Sequence, residues 1–540
     1  MSNFVRFAAL LFSAATIVSC NSTTQSTELD NTAARNQTIA NGELVNEGLD
    51  RCRQFVAGWL EQADPKTGLI PRNLEASADI WNAKDAAADN YPFMVLTAAL
   101  TDQPMFEGRM MEMLRTETKL TSRWDALPDT YSFVKNDFAT EQIDTADIMF
   151  GASEYIKDGL LPLTEWLGAS PWSERMISML DDMWKHAPVE TPYGNLVSAN
   201  VEVNGEMLQT LARIYWMTGD QKYLEWAIRL GDYYLLGNHH PTRDFTSLRL
   251  RDHGCEIVSG LCELYATVHF AMPEKKQVYR EPLLTMLDRI LEVGRNEHGL
   301  FYNVVNPQTG EVTNEGVADN FGYTLNGFYT VYQLDSVEAY RQATLKALNS
   351  LNQHYRNFDW EHGSSDGYAD AIEGALNLYN REPVASVAQW LDSETQVMWG
   401  MQQESGIIEG WHGDGNFART TIMYCLWKSQ GVTASPWRSD LKIGAVRENG
   451  DLLINLTTDQ FWEGKLVFDS PRHRAIMSLP TDWPRINQFP EWFTAKEGQR
   501  YEVVKVNQDA EKVYTGEQLQ SGIPFEAEPG EHRFLVREEN

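Results

Sequence analysis

Along the chain, short polar segments containing Asp, Asn or Gly repeatedly precede long runs that are apolar or small at nearly every position. Residues 89–92 (DNYP) stand before FMVLTAAL, 144–147 (DTAD) before IMFGASEYI, and 204–206 (NGE) before MLQTLARIYWMTG. Then come 252–254 (DHG) before CEIVSGLCELYATV and 319–322 (DNFG) before YTLNGFYTVYQL. The last are 366–368 (DGY) before ADAIEGALNLYN and 414–416 (DGN) before FARTTIMYCLW. Successive starts lie about 50 to 65 residues apart. In the gaps are amphipathic runs such as 221–236 (QKYLEWAIRLGDYYLL) and 384–402, apolar at every third or fourth position and charged on the other face. A period of this length with two helical patterns in it predicts helical hairpins. The nearly all-apolar runs form the inner layer, the amphipathic ones the outer layer, and six or seven hairpins close an α/α toroid. Each polar start is an N-cap, its oxygen accepting from an orphan N–H. Inner helices of an alternating ring all point one way, so their starts converge on one mouth, where a pocket is expected.

After about Gly431 the pattern changes to short alternating runs: LKIGAVR, the Asn449-Gly450 turn, DLLINLT, GKLVFD, RYEVVKV and EHRFLVRE. These predict a small β-sandwich-like module of structural or accessory role over 431–540. At the other end, residues 1–19 carry one cation, Arg6, and an apolar run over 7–18 that is too short to span a bilayer, as in a signal peptide. The run ends in Ile17-Val18-Ser19-Cys20, which resembles a bacterial lipobox and implies a lipid anchor on Cys20 and a place in the bacterial cell envelope. Residues 20–41 are rich in Ser, Thr, Asn and Gln and are expected to be a flexible tether, leaving 42–430 for the toroid.

The formal charge is −31, and −32 once Arg6 is removed with the signal, which argues against nucleic acid as a partner. The membrane is met through the lipid anchor only. Cys52, Cys255, Cys262 and Cys425 contain no CxxC pair, and Cys255 and Cys262 read as small core residues. Without HExxH spacing or a GxSxG elbow, neither a catalytic metal, a cofactor nor a serine nucleophile is expected.

Glycosidic hydrolysis needs two carboxyl groups flanking the scissile bond. The mouth offers Asp144, Asp147, Glu202, Glu206, Asp252, Glu256, Asp366, Glu373 and Asp414, of which Asp144, Glu206, Asp252 and Asp366 are the chosen catalytic candidates. In the extended stretch LRLRDHG, Arg249 and Arg251 share a face, and with His253 they form a candidate carboxylate cradle, near His239, His240 and Arg243. The same arginines can equally pair with the ring's own acids. Trp81, Trp124, Trp360, Tyr368 and Trp411 are candidate stacking platforms for sugar rings, and Asn320, Tyr323 and His412 complete the expected binding set.

With these features the chain resembles the α/α-toroid carbohydrate-active enzymes. The segment NVEVNGEMLQTLARIYWMTGDQKYLEWA resembles the unsaturated uronyl hydrolases of families 88 and 105, whose inner helix opens on an Asp pair; Val203 and Asn204 stand at those positions here. The segments RLRDHGCEIVSGL, DNFGYTLNGFY, SSDGYADAIEGALNLYNREPV and WHGDGNFART are more similar to glycoside hydrolase family 154. That resemblance implies an exo-acting hydrolase removing terminal uronic acid, chiefly β-glucuronic acid, from an acidic poly- or oligosaccharide, with homo-oligomers allowed. Other readings stand beside it: a polysaccharide lyase using Tyr323, His253 and Asn320, or an unsaturated uronyl hydrolase, acting on a uronic-acid-containing polysaccharide, and a non-catalytic surface glycan-binding lipoprotein.

Overall fold

The computed structural model of the protein describes residues 32–506 and 510–539. The expected signal segment, Cys20 and the first part of the tether lie outside the described residues. No helix among the described residues is long and apolar enough to cross a membrane.

Amphipathic outer helices alternate with inner helices buried nearly all round. The outer set is α1 (Thr32–Glu61), α3 (Met111–Thr121), α5 (Pro171–Lys185), α7 (Gln221–Gly231), α9 (Pro273–Val293), α11 (Glu338–His354) and α13 (Ala385–Trp399). The inner set is α2 (Tyr91–Thr101), α4 (Thr145–Glu154), α6 (Val201–Thr218), α8 (Glu256–Ala271), α10 (Phe321–Asp335), α12 (Ser365–Arg381) and α14 (Asn416–Ser429). Neighbouring inner helices pack side by side, and α14 returns against α1 and α2, closing the layer. Two inner elements contain wider, π-helical turns, Ala83–Asn90 before α2 and Tyr155–Leu160 after α4, and these pack on each other.

The small residues in the inner runs explain how closely the helices approach. A Cβ on Gly322 of α10 would lie 2.4 Å from Gly374 Cα of α12, and one on Gly205 of α6 2.5 Å from Ile257 N of α8. Neither pair has a flexible side chain that can yield. Gly322→Ala is therefore expected to lower the unfolding free energy by about 1–3 kcal/mol through overpacking, read by urea denaturation; an unchanged midpoint contradicts this backbone-on-backbone contact.

Helix α1 begins at Thr32, inside the stretch expected to be a tether, so residues 32–41 belong to the folded body. They are held by the β module: Asn41 Nδ2 donates to Ala445 O at 2.9 Å, and Arg35 pairs with Glu531. In that module β1 (Thr433–Ser435), β4 (Trp462–Val467) and β7 (Ile523–Ala527) make one antiparallel sheet, in the order β7-β4-β1. The other contains β2 (Lys442–Glu448), β3 (Asp451–Thr458), β5 (Arg500–Lys505), β6 (Ala510–Thr515) and β8 (Gly530–Glu538), in the order β2-β3-β8-β5-β6. The sheets share a core separate from that of the helices. The β2–β3 turn is Asn449-Gly450, both at positive φ, as expected for a two-residue hairpin.

Between β4 and β5 the chain folds back onto the inner helices. Trp483 Nε1 donates to Glu263 Oε2 at 3.0 Å, Asn377 Nδ2 donates to Arg485 O at 2.7 Å, and Arg213 Nη1 donates to Ile486 O at 3.1 Å. These partners sit well past the starts of their helices, so residues 482–489 close the ring at the end away from the polar starts.

Candidate active site

The polar starts do converge. They surround a cavity of about 1080 Å³ whose wall includes Glu202, Asp252, His253, Asn320, Asp366 and Asp414, with Asn487 of the returning segment beneath them. Twelve lining residues are Asp or Glu and five are Lys or Arg, so a bound anion would need a counter-charge.

Capping accounts for some of the starts and not for others. Asp144 is a plain N-cap of α4, accepting from Ala146 N at 3.0 Å and Asp147 N at 3.2 Å. It is exposed and off the cavity wall, so it is not a catalytic candidate. The cavity instead meets Glu154, ten residues later, which is about 15 Å along a helix. At α12 the cap is Ser364, whose hydroxyl accepts from Gly367 N at 2.9 Å. This leaves Asp366 facing the cavity, where its Oδ1 accepts from Asn416 Nδ2 at 2.8 Å. At α6 the cap is Asn200; Asn204 lies inside the helix, donating from Nδ2 to Ser198 O and Tyr234 Oη, both at 3.0 Å.

On one wall, Glu154, Glu202 and Glu206 gather around His253, whose Nδ1 lies 3.6, 3.8 and 3.8 Å from their carboxylates. Burial alone would lower His253, but Glu202, Asp158, Glu206 and Glu256 outweigh it and hold the imidazole up at about 9. Glu206 lies fully buried behind the wall, where burial and then the Asp158 charge push it up to about 8. Lys157 Nζ donates to Asp158 Oδ1 and Glu256 Oε1, both at 2.6 Å. Burial disfavours the Asp158 carboxylate, yet Lys157, Glu154 and His253 together outweigh that and hold it at about 2.

The opposite wall carries Asp366, Asp370, Asp414 and His412. Burial first, and the Asp366 charge second, raise Asp414 to about 7. Asp370 is tied down: Arg419 Nη2 donates to its Oδ1 at 2.8 Å, and the Tyr323 hydroxyl lies 2.8 Å from both Asp370 Oδ1 and Glu373 Oε2. Burial lowers His412, but Asp89 and Asp85 outweigh it and leave the ring at about 9.

The expected carboxylate cradle is only partly assembled. Arg249 lines the cavity but pairs with Asp252, and Arg251 is off the wall with Glu361 Oε1 3.8 Å away. The chain leaves its extended course at Asp252, which has φ +50°, so the shared face ends there. His239 stacks on Tyr233, the His240 ring contacts Pro282 O at 2.9 Å, and Arg243 pairs with Asp244, none of them on the wall. Tyr368 is a core residue whose hydroxyl donates to Phe358 O at 2.7 Å; two positions beyond Asp366 it points to the opposite side of the helix. Trp81 and Trp360 are also buried, and Trp124 stacks on His186, leaving Trp411, 81% exposed, as the platform at the rim. Of the set expected for β-elimination, all three line the cavity, but burial raises the Tyr323 hydroxyl well above its usual range, and Asn320 Nδ2 donates to Asp252 O at 2.7 Å. Cys52, Cys255, Cys262 and Cys425 are free and buried.

Sequence reasoning did not find Glu154, Lys157, Asp158, Asp370, Arg419 or Asn487 as cavity groups. All but Asn487 carried a usable signal, a charge in or beside an otherwise apolar run, because buried charges occur where they are paired or in use.

No protein-family model matches the chain, and no curated protein does. Solved structures similar to it include an α-1,6-mannanase of family 76 from a Salegentibacter species, with 13% identity, TM-score 0.41, and coverage of 58% of this chain and 96% of that one. A possible member of family 105 from Salmonella enterica has 15% identity and TM-score 0.38, covering 52% and 81%. Cellobiose 2-epimerase from Bacillus thermoamylovorans has 12% identity and TM-score 0.37, covering 49% and 84%.

Proposed function

We propose that the protein is an exo-acting glycoside hydrolase that removes a terminal uronic acid, β-glucuronic acid first, from a poly- or oligosaccharide. The supporting observation is Asp414 beside Asp366 on one wall of a cavity closed at its far end. With its carboxyl near 7, Asp414 stays protonated through the acid range and can donate to the leaving oxygen. Asp366, oriented by Asn416, serves as base or nucleophile. A cavity with one open end takes a chain end rather than the middle of a chain. Asp252 and Glu206, the other catalytic candidates, are engaged by Arg249 and buried behind His253, respectively. The scaffold is read as an (α/α)7 toroid, one hairpin per polar start, anchored to the cell envelope through Cys20.

The uronate specificity rests on Arg249, whose guanidinium has five N–H donors and, among the described residues, only Asp252 as its ion-pair partner. Arg249→Met is expected to lower kcat/KM for p-nitrophenyl β-glucuronide by about 10- to 100-fold, the worth of a charge-assisted hydrogen bond. The rate on p-nitrophenyl β-glucoside should be unchanged. Equal losses on both substrates remove the uronate reading.

The pH profile follows from the direction of the Asp414 shift. The general acid works only while protonated, so kcat/KM should fall as pH rises through about 7 and be retained below it. A rate still rising at pH 8 takes this role from Asp414.

A further inference from the structure

We propose that the protein binds one divalent transition-metal cation, of the Mn²⁺ or Zn²⁺ kind, between Glu154, Glu202, Glu206 and His253. The inference rests on the hydrolase reading for its purpose: in a cavity rich in acids the cation adds a positive charge, beside that of Arg249, toward a uronate. One oxygen from each carboxylate and one imidazole nitrogen all lie within 4.8 Å of one another. Bonds of about 2.0–2.2 Å to a tetrahedral ion hold the ligand atoms about 3.3–3.6 Å apart, so side-chain rotation has to close the widest pair by about 1.2–1.5 Å. The ligands come from the end of α4, the first two turns of α6, where Glu202 and Glu206 share a face four residues apart, and the segment leading into α8.

A cluster of acids alone would not carry this. The independent observation is that Glu206 is fully buried and neither of its carboxylate oxygens has a hydrogen bond, while Glu154, 3% exposed, leaves Oε1 without one. Buried carboxylates are rarely left in that state. Lys157, which faces the same region, donates to Asp158 and Glu256 instead. The second acidic group, Asp85, Asp89 and His412, differs in this respect, because Asp85 already accepts from Arg72 and Asn82. Three carboxylates with an imidazole suit a transition metal better than Ca²⁺ or Mg²⁺, which prefer all-oxygen shells. Glu154, Glu202 and His253 line the cavity, so the bound ion faces it and can take a carboxylate oxygen of the sugar.

The test is calorimetric titration of the EDTA-treated protein with MnCl₂ and with ZnCl₂, run beside E206Q and E202Q. Saturable binding of one ion per chain, weakened at least about tenfold in both variants, is expected. Each variant's thermal unfolding in EDTA shows that the fold is kept. EDTA should also lower kcat/KM for the glucuronide at least about tenfold and leave the glucoside rate unchanged. Absent saturable binding, or binding indifferent to both variants, overturns the site even if glucuronide is hydrolysed, and that outcome leaves the hydrolase reading standing. Site-dependent binding with no hydrolysis of any glycoside upholds the cation site and removes the hydrolase reading. Binding with EDTA-insensitive glucuronide hydrolysis overturns the substrate-bridging role.

Discussion

Asp414→Asn is expected to lower kcat/KM for a glucuronide with a poor leaving group by about 10²–10⁴, the usual contribution of a general acid. The amide oxygen can still accept from Asn416 N, now at 3.1 Å, so the helix start and the unfolding midpoint should be retained. The role can be separated from that of Asp366 by the leaving group. A dinitrophenolate departs without a proton, so D414N should keep most of its rate on the dinitrophenyl glucuronide. D366N should lose it on every substrate, because base or nucleophile is needed whatever leaves. If D414N is equally impaired on both leaving groups, the acid lies elsewhere on the cavity wall.

The largest effect on stability is expected at Arg213→Met. Arg213 is fully buried among the inner helices, with Nη2 donating to Glu263 Oε1 at 2.7 Å and Nη1 to Glu165 Oε1 at 3.2 Å. It also holds Ile486 O, joining the ring to the segment that closes it. Removing one partner of a buried ion network leaves charge without compensation and costs about 3–5 kcal/mol. Glu165 retains Arg485, so the loss should fall mainly on Glu263. Urea unfolding of R213M measures it, and R213M/E263M should recover part of the loss because the orphaned carboxylate goes too. A loss below about 1 kcal/mol in R213M would show that the network is not a joint in the fold.

The ring was legible because a helix buried on all sides leaves a run without a polar face, and the runs recur. What remained hidden is held by distant contacts. Residues 32–41 have too little apolar surface to read as a helix, and they are ordered by Ala445 and Glu531, hundreds of residues away. Asn487 could not be placed either, since it reaches the cavity only because the β module returns a loop to the ring. Within the site, His253, Asp366, His412 and Asp414 stood at helix starts and were visible. Asp144 was misjudged because α4 starts about two to three turns before the level of the cavity. Glu154, Lys157 and Asp158 were absorbed into an apolar run that includes a wider turn. Tyr368 and Arg251 show the limit of spacing arguments: helical rotation beyond Asp366 turns Tyr368 away, and Arg251 lies toward Glu361 although its own backbone stays extended.

The central claim, hydrolysis at a chain end, is tested most directly by incubating the protein with a glucuronide-terminated oligosaccharide in H₂¹⁸O and weighing the products. The account predicts free glucuronic acid carrying one solvent oxygen at its anomeric carbon, an oligosaccharide shortened by one residue, and no new absorbance from a C4–C5 double bond. On a companion polyuronate with 4-linked residues, products without ¹⁸O that carry that double bond would assign the cavity to β-elimination, and an unchanged oligosaccharide retained by the protein would make it a glycan receptor.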